Sequence, residues 1–130
     1  MIVVDSSAII AILNSEPEAA NFSGRLRSAP RCLMAAPTKV ELLMVAIGRK
    51  RVEAKVVVLD LLEQYRIDVV NFTDPLAILA VEAFDRYGKG RHKAGLNFGD
   101  CMAYALAKSL DAPLLFKGGD FALTDIRPAA

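Results

Sequence analysis

Four acidic side chains in this sequence could do chemistry together: Asp5, Glu41, Asp100 and Asp120. Glu41 is the clearest of them, because none of the residues three or four positions away, its neighbours on a helix, is basic. A carboxylate in such apolar company is costly to keep charged unless it is paired or binds a metal. If the four met, each pair would repel by roughly 4 kcal/mol at about 4 Å, for an effective dielectric of about 20. A divalent cation would offset that repulsion, so the four acids indicate a metal site.

Each of these acids also has an ordinary structural interpretation. Asp5 could cap the helix that follows it, and Asp120 could shape a glycine turn. Asp100 could be an acid in the first helical turn after a cap at Asn97, and Glu41 could simply face solvent. Taken one at a time, these interpretations are as good as a metal site. Only the four acids together favour the metal.

The ligand chemistry narrows the choice of metal. Oxygen ligands favour Mg²⁺ or Mn²⁺, and His92 is the single histidine, which argues against a histidine-rich zinc or iron site. The same scarcity argues against nuclease chemistry by a pair of histidines. One such cation, or two about 3.5–4 Å apart, can lower the pKa of water, hold a phosphate oxygen and neutralise the leaving oxygen. The candidate reaction is therefore hydrolysis of a phosphodiester bond.

Short apolar strands alternate with helices along the chain. The pattern predicts strands at residues 2–4, 31–35, 67–72 and 113–116. It predicts helices at residues 6–13, 52–65, 74–87 and 99–110, with Asp74 as the cap of the third of these. Two further helices are expected to begin after a cap at Ser15 and at Pro37. This order predicts a three-layer α/β/α fold around a mainly parallel sheet of about four to five strands. Ligands of such sheets bind beyond the carboxyl ends of the strands, where Asp5 and Asp120 are expected.

Properties of the whole chain bound the class of protein. No repeat or linker divides residues 1–130, so we expect a single domain. A net charge of +1 excludes a large electrostatic field that would attract nucleic acid. An apolar content of 54% suggests that some of the surface is buried against another chain. Cys32 and Cys101 are expected to be core thiols rather than a disulfide or zinc ligands. Without a secretory signal or an apolar run of ~20 residues, the chain is expected to be soluble and cytoplasmic, with no membrane association.

A basic loop precedes the Asp100 segment. It contains Lys89, Arg91, His92 and Lys93, and these side chains could grip RNA phosphates beside the proposed site. An exposed loop whose charges do nothing specific is an equally good interpretation. The glycines of this loop match no dinucleotide-binding or P-loop signature.

Several motifs resemble those of the PIN-domain nucleases, and among them the VapC-type toxins of bacterial toxin–antitoxin pairs. The resemblance runs nearly end to end. It is carried by Ile-Val-Val-Asp5-Ser-Ser-Ala, by Glu41 in Ala-Pro-Thr-Lys-Val-Glu-Leu, by Leu96-Asn-Phe-Gly-Asp100-Cys-Met-Ala-Tyr-Ala, and by Gly119-Asp120-Phe with Thr124-Asp125-Ile. The Asn-Phe-Gly-Asp segment is the most specific of them.

The resemblance implies an Mg²⁺- or Mn²⁺-dependent endoribonuclease that forms a homodimer and is inhibited by a cognate VapB-like antitoxin. Asp5, Asp100 and Glu41, the last directly or through water, would bind the metal, with Asp120 in a weaker supporting role. Ser7 would supply the hydroxyl that orients the first acid or a phosphate. Many relatives carry an acid or an Asn where Gly119 stands, so a second metal would be held weakly or not at all.

Two other functions stay open at this point. One is a PIN-fold binding module with little turnover, acting through its antitoxin complex. The other, a phosphatase or phosphoacceptor domain with Asp5 as nucleophile, is disfavoured because Asp5-Ser-Ser lacks the second nearby aspartate that such sites need. For the antitoxin groove and the dimer surface, we expect the apolar helices at residues 16–28 and 40–64.

Overall fold

A four-stranded parallel sheet lies at the centre of the computed structural model, which describes residues 1–49 and 52–130. The described part contains, in chain order, β1 (Ile2–Val4), α1 (Ser6–Leu13), α2 (Ala19–Ser28), β2 (Cys32–Ala35), α3 (Ala36–Arg49), α4 (Val52–Gln64), β3 (Ile67–Val70), α5 (Asp74–Tyr87), α6 (Phe98–Leu110) and β4 (Leu114–Leu115). A short 3₁₀ turn, Phe121–Leu123, follows β4. The predicted α/β fold is confirmed, with four strands in the sheet.

The strand order is β3-β2-β1-β4, so the chain leaves β1 toward one edge of the sheet and later returns to pair with its other side. In β1, Ile2 lies opposite Cys32 of β2, and Val4 lies opposite Leu115 of β4. The backbone N–H of Asp5 extends this pairing by donating to the carbonyl of Leu115 at 3.0 Å. The order reverses between β1 and β4, and the crevice beyond the carboxyl ends of such strands is where open α/β sheets bind ligands.

Both faces of the sheet are covered, which explains why its central strands are apolar throughout. Val3 and Leu33 point into a core that they share with α5 and α6. Val4 and Met34 point to the other side, into a core formed with α1 to α4. Alternating side chains thus serve two cores, and no position of β1 faces water.

Two predicted helix starts were wrong. Ser15 does not cap a helix: it has a left-handed φ of 52°, and α2 begins only at Ala19. The N–H groups of Ser15 and Glu16 donate to the carbonyls of Ile12 and Ala11, so Ser15 ends α1 in a Schellman-type turn instead of starting α2. Glu16 also forms an ion pair with Lys117 from the segment after β4. At α5 the cap residue is Thr73, and Asp74 is already the first residue of the helix.

The Thr124-Asp125 motif has a structural role. The Tyr104 hydroxyl and the Lys108 ammonium of α6 each donate to a different oxygen of Asp125, at 2.6 Å in both cases. Burial raises the pKa of Asp125, but these hydrogen bonds and the nearby Arg86 outweigh it and hold the pKa below its ordinary value. The motif therefore fastens the segment after β4 to α6.

Candidate active site

Asp5 is the buried centre of the site. It caps α1, because one carboxylate oxygen, Oδ2, accepts hydrogen bonds from the Ser7 backbone N–H at 3.1 Å and from the Ser7 hydroxyl at 2.6 Å. The other oxygen, Oδ1, is buried without a hydrogen-bond partner among the described residues. Burial raises the pKa of Asp5 to about 6, the Ser7 bonds oppose the rise, and the charges of Asp100 and Glu41 add to it. The capping interpretation holds, yet it occupies only one of the two oxygens.

Ser7 connects the ends of the two strands that flank the crevice. Its hydroxyl donates to Asp5 after β1 and accepts the backbone N–H of Lys117, after β4, at 3.0 Å. The Lys117 ammonium is held by Glu16, with Glu18 at 3.7 Å. Ser7 is therefore fixed in the position from which it orients Asp5.

Glu41 reaches the crevice from the second turn of α3. Its Oε1 accepts a hydrogen bond from the Ser6 hydroxyl at 2.8 Å. On its other side is Gly99, where an added Cβ would come closer than 3.0 Å to both carboxylate oxygens. The carboxylate thus has contacts at the starts of both α1 and α6, and the residue is partly exposed.

Asp100 has a structural contact as well as a place in the crevice. Its backbone N–H donates to the Asn97 side chain at 2.8 Å, and its Oδ2 accepts the Asn97 N–H at 3.0 Å, which makes a capping box. Burial raises the pKa of Asp100, the Asn97 bond opposes this, and the charges of Glu41 and Asp120 raise it further. Asp100 therefore belongs both to the capping box of α6 and to the candidate site.

Asp120 lies at the exposed rim of the crevice. The sequence pattern predicts it directly after a strand, but β4 ends at Leu115, so it stands on the loop that follows. Its charge reaches Asp100, and Gly118 before it adopts a φ of +107°. A Cβ at Gly119 would meet nothing within 4 Å, so the open space around this position does not explain why it is a glycine.

The arrangement suits a hard cation that keeps part of its water shell. Within residues 1–49 and 52–130, no group of three or more His, Cys, Asp or Glu side chains is assembled closely enough to hold a metal by itself. Mg²⁺ dehydrates reluctantly and is usually bound through one or two carboxylates plus water and substrate phosphate. The free buried oxygen of Asp5 is an acceptor that such an ion, or its water, would satisfy. Asp5 and its neighbouring acids are therefore compatible with an ion that keeps several water ligands.

Two of the basic loop residues already have structural partners. Arg91 donates to the carboxylate of Asp85 at 2.7 Å and to its backbone carbonyl at 3.0 Å. His92 accepts a backbone N–H through Nδ1, and its ring stands edge-on to Tyr87 with 5.2 Å between the ring centroids. The other two basic side chains, Lys89 and Lys93, are exposed. Contact of the loop with RNA stays a prediction.

An apolar surface lies next to Glu41, and the sequence predicted only the part of it on α3. Two neighbouring grooves, of about 600 and 850 Å³, share Pro37, Phe72, Phe98 and Met102 in their linings. Phe98 is 79% exposed, and exposed apolar residues continue from α3 (Val40, Met44, Ile47) to α5 (Ile78, Val81, Phe84). The contribution of α5 was missed, because its exposed face is recognisable only once its packed face is known.

No helix in the described part of the chain has the length and apolarity needed to cross a membrane. Both cysteines are buried thiols, as predicted.

Comparison with known proteins gives consistent matches. A family model described as PIN domain matches residues 2–126. The chain is 43% identical over 128 residues to Ribonuclease VapC42 of Mycobacterium tuberculosis, with 98% of each protein covered. Among solved structures, it is similar to VapC20 of Mycobacterium tuberculosis, described as a sarcin–ricin loop cleaving toxin, with a TM-score of 0.75 and 18% identity over 98% of this chain and 100% of that one. It is also similar to a toxin–antitoxin complex from Klebsiella pneumoniae, with a TM-score of 0.75 and 16% identity over 100% of this chain and 98% of that one. At such identities the structural matches show the fold alone.

Proposed function

Because the chain belongs to the PIN-domain family and is related to the VapC ribonucleases, we propose that it is an Mg²⁺- or Mn²⁺-dependent endoribonuclease and the toxin of a toxin–antitoxin pair. The observation that carries this proposal is Asp5. Its carboxylate is buried with one oxygen that has no hydrogen-bond partner, and the charges of Asp100 and Glu41 contribute to its raised pKa. It lies at the crevice where sheets of this kind bind ligands. A protein gains nothing in stability from such an arrangement unless a cation enters it.

The chain's own residues divide the work. Asp5 and Asp100 would hold the cation, with Glu41 directly or through water and Asp120 as a weaker fourth acid at the rim. When bound, the cation would lower the pKa of water and offset the charge that builds on phosphate oxygens during in-line attack. Ser7 keeps Oδ2 of Asp5 occupied, so that Oδ1 is the oxygen left for the site. Lys89 and Lys93 are exposed and could meet RNA phosphates.

The direct test is cleavage of a defined panel of RNAs by antitoxin-free protein. We expect cutting in Mg²⁺ or Mn²⁺, none in EDTA, and recovery when the metal is restored in excess of the chelator. Cutting that persists in EDTA would contradict a metal-dependent mechanism. Intact protein that binds Mg²⁺ but cuts no RNA would favour the alternative, a PIN-fold module that acts mainly through its antitoxin complex.

We assign different partners to the two exposed apolar faces. The surface shared by α3, α5 and α6 is broad and spans several elements, which suits a homodimer. Val56 and Val57 of α4 are also exposed, and an amphipathic antitoxin segment could cover them. Both the RNA and the antitoxin would be met in the cytoplasm.

A pair of charge substitutions separates the two partners. Val81→Glu, at a position 68% exposed on α5, is expected to convert the dimer to a monomer while a co-purified antitoxin stays bound. Val57→Glu, 44% exposed on α4, is expected to do the reverse. Light scattering after size exclusion gives the mass, and titration calorimetry gives the antitoxin affinity. If neither variant changed either quantity, both surface assignments would be wrong.

A further inference from the structure

The geometry around Glu41 points to two residues that no acid-based interpretation of the site includes. We propose that Ser6 and Gly99 are positioning residues that fix the Glu41 carboxylate toward the crevice, Ser6 by a hydrogen bond and Gly99 by leaving room. This inference rests on the proposed function, because it assigns how one of the metal-binding acids is held.

Glu41 needs such a restraint. Its side chain has several rotatable bonds and is half-exposed, and its charge is close enough to raise the pKa of both Asp5 and Asp100. In the absence of metal, repulsion from the other two carboxylates would turn it outward. The Ser6 hydroxyl, on a residue that is itself buried, donates to Oε1 at 2.8 Å and opposes that movement.

Gly99 is not required by its backbone conformation. The glycines with positive φ in the described chain are Gly90, Gly95 and Gly118, so Gly99 adopts dihedrals that any residue could adopt. It lies in the first turn of α6, and a helix with glycine is less stable than the same helix with alanine. Its steric surroundings supply the reason: a Cβ there would collide with the carboxyl group of Glu41. A side chain at position 99 would therefore displace the flexible end of Glu41 from its present place.

The chain provides a matched control in Gly24. Like Gly99 it lies in a helix with ordinary φ, but a Cβ at Gly24 would meet nothing within 4 Å. Gly→Ala at either position improves helix propensity. Only the change at Gly99 should disturb the site.

The experiment measures Mg²⁺ affinity of the full chain by calorimetry, together with kcat, KM for RNA and Tm. Gly99→Ala and Ser6→Ala are each expected to weaken Mg²⁺ binding and lower kcat by roughly 10- to 100-fold, with KM for RNA changed by less than about 3-fold. Ser6→Thr, which keeps the hydroxyl, is expected to recover most of the affinity. Gly24→Ala should leave Mg²⁺ affinity and kcat at wild-type values.

A double variant shows whether Glu41 is the residue through which Gly99 acts. In a Glu41→Gln background, Gly99→Ala should cause little further loss of Mg²⁺ affinity, because the group that it displaces no longer carries charge. Full additivity, or wild-type Mg²⁺ affinity in Gly99→Ala and Ser6→Ala, would overturn the inference while leaving the proposed function intact. A wild-type protein that neither binds Mg²⁺ nor cuts RNA would overturn both.

Discussion

Asp100→Asn and Glu41→Gln are each expected to reduce metal-dependent RNA cleavage by roughly 10²- to 10³-fold, the scale of removing one preorganised electrostatic contact from an active site. Both changes remove a charge and alter almost no volume. Metal affinity should fall with activity, because fewer anionic oxygens remain to offset the cation. Rates on one RNA at saturating Mg²⁺, together with Mg²⁺ titrations, measure both effects.

These variants are chosen to preserve the fold. The amide introduced by Asp100→Asn still offers an oxygen to the Asn97 N–H, so the capping box at the start of α6 can persist. The amide introduced by Glu41→Gln can likewise still accept from Ser6. Asp74→Asn is a matched control, since Asp74 also lies in the first turn of a helix but is exposed and outside the crevice. If either site variant kept wild-type cleavage with unchanged Tm, the corresponding acid would not belong to the catalytic machinery.

Asp5→Asn is expected to stabilise the metal-free protein at neutral pH while abolishing its activity. The pKa of Asp5 is raised from 3.8 to about 6 by burial and by the charges of Asp100 and Glu41. At ~1.36 kcal/mol per pKa unit, holding this carboxylate charged at pH 7 costs the folded state up to about 3 kcal/mol. Asparagine is neutral and avoids that cost, so the free energy of unfolding in EDTA should increase.

The pH dependence gives this prediction its sign. A carboxyl whose pKa is higher in the folded state binds its proton more tightly when folded, so the wild type loses stability as pH rises from 3.8 toward 6. The advantage of Asp5→Asn should therefore be small near pH 4 and reach its full size above pH 6. Adding Mg²⁺ should stabilise the wild type and not the variant.

Urea unfolding at pH 4 and pH 7, in EDTA and in Mg²⁺, measures these four conditions. Asp60→Asn, at an exposed position of α4, serves as the control and should match the wild type in all four conditions. An Asp5→Asn protein that was less stable than the wild type at pH 7 in EDTA would contradict the prediction.

The sequence was most informative where local chemistry decides the structure. The apolar run at Ile2–Val4 became β1, and Asn97 with Asp100 became the cap of α6 because both halves of the capping box lie within one turn. Ser15 failed as a cap because it is the left-handed residue of the turn that ends α1, a position that usually takes glycine or asparagine. The kinds of element were predicted reliably, whereas the residues at which helices begin were not, as Thr73 rather than Asp74 shows at α5.

For the site, residue type identified the four acids but not what holds them. Ser6 follows Asp5 directly and could have been suspected, yet its partner is 35 positions away and depends on how α3 meets α1. The reason for Gly99 depends on the packing of α6 against α3. Such pair contacts cannot be derived from one sequence without its fold.

The reversal of strand order between β1 and β4 also sets when during synthesis this protein can become an enzyme. Asp5 emerges from the ribosome early, but the crevice beside it is closed by Leu114–Leu115, which pair with β1 from far along the chain. Until that late segment has been translated and has paired with β1, Ser7 cannot accept its hydrogen bond from the Lys117 N–H, and one side of the crevice beside the acids is missing. We therefore expect a ribosome-bound chain, or one that ends before β4, to be inactive toward RNA.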